Sequence, residues 1–235
     1  MADMHYLALM AGPVDGGPEP GTAEFDAEVG RYAEFEEKAR AVIAGGAALY
    51  PADGTGVRGA AVVSDGPFAE QAEVVGGFYV FDCPNLDDVV ELVRQLPAAE
   101  QGRIEVRPMA QWNAPEKLGS DSWLALLWEP AETVIAPGTP AWEAALVEHQ
   151  RFAERVGTAI RGGGALQPPS TATTVRVRAG ELLLSDGPFA EGAEVVDGLY
   201  ILAAPDEARA VEYAAHIPLG PAGRTEVRRI VDLDG

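Results

Sequence analysis

The sequence predicts an α+β fold made twice along one chain. Two observations carry that expectation: an internal repeat, and within each copy a hydropathy pattern that alternates between the periods of strand and helix. Ser64-Asp65-Gly66-Pro67-Phe68-Ala69-Glu70 recurs letter for letter as Ser185-Asp186-Gly187-Pro188-Phe189-Ala190-Glu191. At that offset of 121, the stretches 64–107 and 185–228 are identical at 22 of 44 positions without a gap. Upstream the offset is 117: Leu7-Ala8-Leu9 matches Leu124-Ala125-Leu126, Gly21-Thr22 matches Gly138-Thr139, and Gly45-Gly46 with Ala48-Leu49 matches Gly162-Gly163 with Ala165-Leu166. The second copy therefore holds four more residues (121 − 117) between Leu166 and Ser185. A repeat of this length is a domain-sized unit made twice. The expected units are 1–112 and 120–235, joined where Trp112-Asn113-Ala114-Pro115 breaks any regular pattern.

Each copy reads strand, helix, strand, strand, helix, strand. The apolar runs His5 to Met10 and Ser122 to Trp128 end before Pro13 and Pro130 and suit buried first strands. Phe25, Val29, Tyr32, Phe35, Ala39, Val42 and Ile43 then recur at spacings of three and four, as do Trp142, Leu146, His149, Phe152, Val156 and Ile160. Each set is one apolar stripe of a helix that faces a sheet. Thr22 and Thr139 can cap these helices by accepting a backbone N–H, and Gly45-Gly46 and Gly162-Gly163-Gly164 read as their stops. Val57 to Val63 and Thr173 to Leu184 follow as strands, the second read as a hairpin turning at Ala179-Gly180, and then Val75 to Phe81 and Val195 to Leu202. A shorter helix carries Leu86, Val89, Val90, Val93 and Leu96 in one copy and Ala208, Val211, Ala215 and Ile217 in the other, ended by Pro97 and Pro218. Ile104 to Arg107 and Thr225 to Arg228 alternate as last strands. The order βαββαβ with both helices on one face is the ferredoxin-like arrangement. It leaves an apolar sheet face bare, and the second copy is the natural cover, sheet to sheet, giving a pseudo-dimer within one chain. Pairing between chains, as a homodimer, is the alternative.

Charge and composition exclude several classes. Against 17 Lys+Arg stand 37 Asp+Glu, a net charge of −20 over 235 residues, and there is no basic run, so nucleic acid is not an expected partner. No stretch of about 18 apolar residues exists, and Met-Ala-Asp-Met-His lacks the start of a signal peptide, so a cytoplasmic chain without a membrane partner is expected. Cys83 is the only cysteine and the three histidines are scattered, which gives no disulfide and no zinc spacing. Neither a P-loop nor a dinucleotide fingerprint is present, and no cofactor is expected.

Asp-Gly-Pro-Phe is first of all turn chemistry: Asp accepts local N–H bonds, Gly permits positive φ and Pro fixes the next residue. Asp65 and Asp186 then fall at strand ends, where a partly buried carboxylate can orient an imidazole or take up a proton. Phe68 and Phe189 plug a core or line a binding cleft. Glu70 with Glu73, and Glu191 with Glu194, lack a further ligand, so no metal is expected. His149 lies on the apolar stripe of its helix, where the first copy has Tyr32, and it points toward the sheet. The equivalent Arg107 and Arg228 either pair with Glu105 and Glu226 or grip an anionic ligand in two-pronged fashion.

The Ser-Asp-Gly-Pro-Phe-Ala-Glu stretch, the following Glu-Val-Val-Gly-Gly-Phe-Tyr-Val and the closing Arg-Ile-Glu-Val-Arg-Pro together resemble the DGPF branch of the YCII-related proteins, over nearly the whole of both copies. The resemblance implies a ferredoxin-like fold assembled as a dimeric α+β barrel. Some relatives have been proposed as enzymes using a His/Asp pair, one branch is reported to dehalogenate aromatic diols, and DGPF members often lie beside alternative sigma factors. A pair of that type would here be His149 with Asp186, one ring nitrogen held so that the other moves a proton. Tyr32, Asp65, Phe68, Phe189, Arg107 and Arg228 would then bind a small molecule. The rival expectation is a non-catalytic partner module, for example of a sigma factor, meeting a basic protein through its acidic surface.

Overall fold

The computed structural model describes residues 4–13, 17–18, 21–50, 54–59, 61–65, 73–188 and 194–232. Its strands are β1 (Met4–Pro13), β2 (Ile43–Ala48), β3 (Thr55–Arg58), β4 (Ala61–Asp65), β5 (Glu73–Cys83), β6 (Arg103–Asn113), β7 (Ser122–Pro130), β8 (Ile160–Leu166), β9 (Thr173–Arg178), β10 (Glu181–Asp186), β11 (Glu194–Ala203) and β12 (Arg224–Arg229). Its α-helices are α1 (Ala23–Ala39), α2 (Leu86–Val93), α3 (Pro97–Gln101), α4 (Pro140–Val156) and α5 (Glu207–Ala214). Among the described residues no helix is long and apolar enough to cross a membrane.

The chain forms two compact units. The first comprises Met1–Ala47, Glu70–Pro108 and Ser170–Phe189; the second comprises Ala48–Ala69, Met109–Pro169 and Ala190–Gly235. Each unit thus takes one β-hairpin from the other repeat. In the first unit the antiparallel order is β2-β5-β1-β6-β9-β10, with β9 of the second repeat laid on β6 through Ile104↔Val175, Glu105↔Thr174 and Val106↔Thr173. The second unit has the same order, β8-β11-β7-β12-β3-β4, with β3 of the first repeat on β12 through Thr225↔Val57, Glu226↔Gly56 and Val227↔Thr55. Both sheets carry a bulge at the same repeat position, Gly76 opposite Met10/Ala11 and Asp197 opposite Leu127/Trp128.

The glycine runs are strands rather than helix stops. Helix α1 already ends at Ala39 and α4 at Val156, so Val42, Ile43 and Ile160 belong to the turns and strands that follow. Gly45-Gly46 lie in β2 and Gly162-Gly163-Gly164 in β8. Their glycines allow a close approach: a Cβ on Gly46 would stand 2.8 Å from the Tyr79 ring, and one on Gly163 would stand 2.5 Å from the Leu199 carbonyl oxygen. Because β2 and β8 supply the second strand of each βαββαβ unit, the Val57–Val63 stretch is the extra hairpin β3–β4. The caps are as expected, with Thr22 Oγ1 accepting from the Phe25 N–H and Thr139 Oγ1 from the Trp142 N–H, each at 3.2 Å.

The helix-facing core of the first unit includes Tyr6, Ala8, Phe35, Phe81, Val89, Val93, Leu96, Ile104 and Val106, together with Val175 and Val177 from the second repeat's hairpin. Its counterpart in the second unit includes Ala125, Leu127, Phe152, Leu202, Ala210, Ala214, Ile217 and Val227, with Val57 from the first repeat's hairpin. Alternate residues on the same strands, Leu7, Leu9, Phe78 and Val80 in one unit and Leu124, Leu126, Leu199 and Ile201 in the other, are buried on the opposite faces.

Candidate functional site

The outer half of α4 carries Glu148, Gln150 and Arg151 to solvent, while its apolar stripe turns His149 and Phe152 onto the sheet. There β11 presents Tyr200. His149 Nδ1 lies 2.9 Å from Tyr200 Oη, the two rings are 6.0 Å apart, and Phe152 packs edge-on to Tyr200 at 5.2 Å. Burial lowers the His149 pKa below its ordinary value and pushes Tyr200 up to about 12. Both groups are therefore neutral at pH 7. A phenol is the stronger acid of this pair, so the O–H of Tyr200 donates to Nδ1 and the ring proton sits on Nε2. This is a neutral imidazole whose one lone pair is held by a hydroxyl donor.

The first repeat places different groups at the same positions. Tyr32 stands on α1 where α4 has His149, with its hydroxyl 4.0 Å from Met10 Sδ, and Tyr79 stands on β5 where β11 has Tyr200. Tyr79 donates to Glu36 Oε1 at 2.7 Å, a position that is Ala153 in the second repeat. Burial, strengthened by Glu36, pushes the Tyr79 phenol up, and burial with Glu28 pushes Tyr32 up to about 12. Phe35, Tyr79 and Phe81 form one aromatic cluster with centroids 5.6 to 6.1 Å apart.

Asp186 ends β10 in the first unit, exposed and in register with Thr173, whereas His149 belongs to the second unit and has Tyr200 as its partner there. Asp65 likewise ends β4, in register with Thr55. Phe68 and Phe189 lie outside the described residues, as do Glu70 and Glu191. Gly187 has φ +96°, as the turn reading requires; its N–H donates to Ala172 O and its carbonyl accepts from Thr174 Oγ1, both at 2.9 Å.

Arg107 and Arg228 are fully buried, and each is engaged by the glutamate two residues before it. Arg107 donates to Glu105; Arg228 donates to Glu226 Oε1 at 3.1 Å and to the Tyr50 carbonyl at 2.8 Å. Glu226 Oε2 also accepts from Trp128 Nε1 at 3.0 Å. The equivalent of Arg103, Arg224, lies over the Trp128 ring at 4.8 Å and donates to Glu194 Oε2 at 2.7 Å. Among the described residues no group of three His, Cys, Asp or Glu is placed to hold a metal ion.

Sequence reasoning missed Tyr200, Tyr79 and Glu36. The available signal was the retention of tyrosine at 79 and 200 within the 22 identities of the repeat.

Known proteins agree with this architecture. The candidate chlorite dismutase TA0507 superposes over 98% of this chain and 96% of its own with a TM-score of 0.51 at 9% identity, a likeness of fold. What the likeness shows is a mixed α/β chain with a large antiparallel sheet; the neighbour is a ferredoxin-like α+β barrel protein. A heme-binding protein from Thermus thermophilus superposes over 98% of this chain and 92% of its own, with a TM-score of 0.47 at 10% identity. In sequence, the uncharacterized protein R00369 of Rhizobium meliloti (strain 1021) is 43% identical over 60 residues, 25% of this chain and 48% of that protein, so the match spans about half the length of that relative. The model of the YCII-related domain matches twice, over residues 8–113 and 140–234, and with both repeats so covered the chain belongs to the YCII-related family.

Proposed function

We propose that this protein is an enzyme of proton transfer on a small organic molecule, working through His149 and Tyr200 in the second unit. The observation that carries the reading is the 2.9 Å bond between two half-buried, neutral titratable groups of complementary acidity. Such a pair can move a proton without first creating a buried charge. When a substrate C–H or O–H gives its proton to the phenol oxygen, the phenol's own proton passes to Nδ1, leaving a substrate anion and an imidazolium. Burial makes that imidazolium acidic, so the proton returns through Tyr200 to the substrate at its new position. Positioned acid–base groups of this kind contribute about 10²–10⁴-fold in rate. The first unit has no imidazole at the equivalent place, and Tyr79 gives its hydrogen bond to Glu36; it is the non-catalytic copy.

The test is solvent-deuterium exchange into a panel of small carbonyl compounds and phenol-type carbon acids, followed by proton NMR. The native chain should speed exchange in at least one compound class, with a loss of at least 100-fold in His149→Gln and a smaller loss in Tyr200→Phe. Exchange that His149→Gln leaves unchanged overturns the proposal and favours a non-catalytic partner module.

A further inference from the structure

Three of the four residues by which the repeats differ lie in the exchanged hairpins, and they leave the two units with unequal walls. From Thr173 to its partner Asp186 the chain runs thirteen residues, from Thr55 to its partner Asp65 only ten, with a bulge in β4. In the first unit the longer hairpin carries Val177 into the helix-facing core beside Leu96 and Ala99, and Arg178 donates to the carbonyls of Glu100 and Gly102, closing α3 onto the sheet. The second unit receives the shorter hairpin. Where α3 would be, it has the open segment Leu219-Gly220-Pro221, and a cavity of about 290 Å³ remains. Its floor is Val57, Ala214, Ile217 and Thr225, and its rim is Arg58 and Leu219-Gly220-Pro221.

We propose that this cavity is a binding site for a short aliphatic carboxylate, its chain on Val57, Ala214 and Ile217 and its head on the Arg58 guanidinium. Arg58 is the only charged residue among the described lining residues, and the Glu129 carboxylate beneath the rim accepts from the Gly220 N–H at 2.7 Å. Arg58 is ion-paired with Glu194, which stands 3.7 Å from Arg58 Nη2 and makes its shorter bond, 2.7 Å, to Arg224, so the guanidinium has further N–H donors to offer. The guanidinium is half-exposed and can accept a two-pronged carboxylate. At about 30 Å³ for each water-sized group, a chain of about seven heavy atoms fits with margin. Neither His149 nor Tyr200 lines this cavity, and carboxylate binding there needs no proton transfer.

Pentanoate, 1-pentanol and pentylammonium, each titrated into the full chain while the methyl resonances of Val57, Ile217 and Leu219 are followed by NMR, separate the possibilities. Pentanoate should shift all three residues saturably, with pentanol at least tenfold weaker and pentylammonium without effect. Arg58→Gln, on an exposed hairpin position, should weaken pentanoate at least tenfold while the rest of the spectrum stays native. Three outcomes overturn the proposal: no saturable shift with any of the three, pentanol binding as tightly as pentanoate, or pentanoate binding unchanged in Arg58→Gln.

Discussion

Removing one oxygen atom tests the chemistry of the His149 site. Tyr200→Phe deletes the donor to His149 Nδ1 and leaves the ring packing on Phe152 in place. The lost bond is made to the neutral imidazole, because a doubly protonated ring has no lone pair at Nδ1 to accept it. A net hydrogen bond of about 0.5–1.5 kcal/mol, at about 1.36 kcal/mol per pKa unit, raises the His149 pKa by roughly 0.4–1.1 units. Burial still opposes protonation of the ring in the variant. Long-range proton–nitrogen correlation spectra of the ring, recorded from pH 4 to 8 and assigned with His149→Gln, read both the titration and the tautomer. Native His149 should carry its proton on Nε2 at pH 8 and titrate below about 6.5.

Stability should follow with a definite sign. The folded pKa lies below the unfolded one, so the contribution is whole above about pH 6.5 and is lost as pH falls through the folded value, where the unfolded chain takes the proton first. His149→Gln should flatten that acid limb of the stability curve. A native ring protonated on Nδ1 at pH 8, a pKa at or above the ordinary value, or an unchanged titration in Tyr200→Phe would show that Tyr200 is not the donor to a neutral His149.

Three further outcomes are expected. Gly187→Val should lower stability by about 1–3 kcal/mol, read by urea denaturation, through backbone strain alone, since a Cβ at this φ of +96° meets nothing within 4 Å; an unchanged midpoint would show that the turn tolerates a side chain. Glu226→Gln should cost about 3–5 kcal/mol by stranding the fully buried Arg228, whereas Glu226→Leu combined with Arg228→Met should recover most of that loss, and a double variant as damaged as the sum of the singles would show that the pair is not coupled. Chains 1–115 and 116–235, made separately, should fail to give monodisperse native monomers in sedimentation and should recover native spectra when refolded together, because each lacks the hairpin that completes its sheet; two native, monomeric halves would contradict the exchange.

Much of the architecture was legible, and the misreadings have physical causes. Period and caps placed β1, β7, α1 and α4, because an amphipathic stripe and a threonine acceptor are local signals. Gly45-Gly46 and Gly162-Gly163-Gly164 misled because glycine is depleted in strands, and the need for a missing Cβ comes from residues far along the chain, Tyr79 and Leu199. The hairpin exchange left no local trace: Val57 and Val175 read alike whichever repeat they complete. His149 was visible as a polar residue on an apolar stripe, but its partner was not, since Tyr200 looks like any alternating strand residue. A carboxylate partner and a phenol partner predict opposite pKa shifts, so the chemistry depended on a contact 51 residues away in sequence.

The exchanged hairpins also bear on why the two copies could diverge so unevenly. A repeat that borrows a strand from its twin cannot bury its core alone: Ile104 and Val106 pack with Val175 of the other repeat, and Val227 with Val57. Substitution in either hairpin is therefore felt by the unit that hairpin completes, and the three residues added to the second repeat's hairpin extend the first unit's wall while the second unit keeps its cavity. The helix positions 32 and 149 are not exchanged. Each stays with the strand of its own repeat, Tyr79 or Tyr200, and the partner of that tyrosine differs between them: Glu36 in one copy, His149 in the other. One chain can thus hold a shared scaffold constant through the strands both units need, and vary separately the two places where neither unit depends on the other.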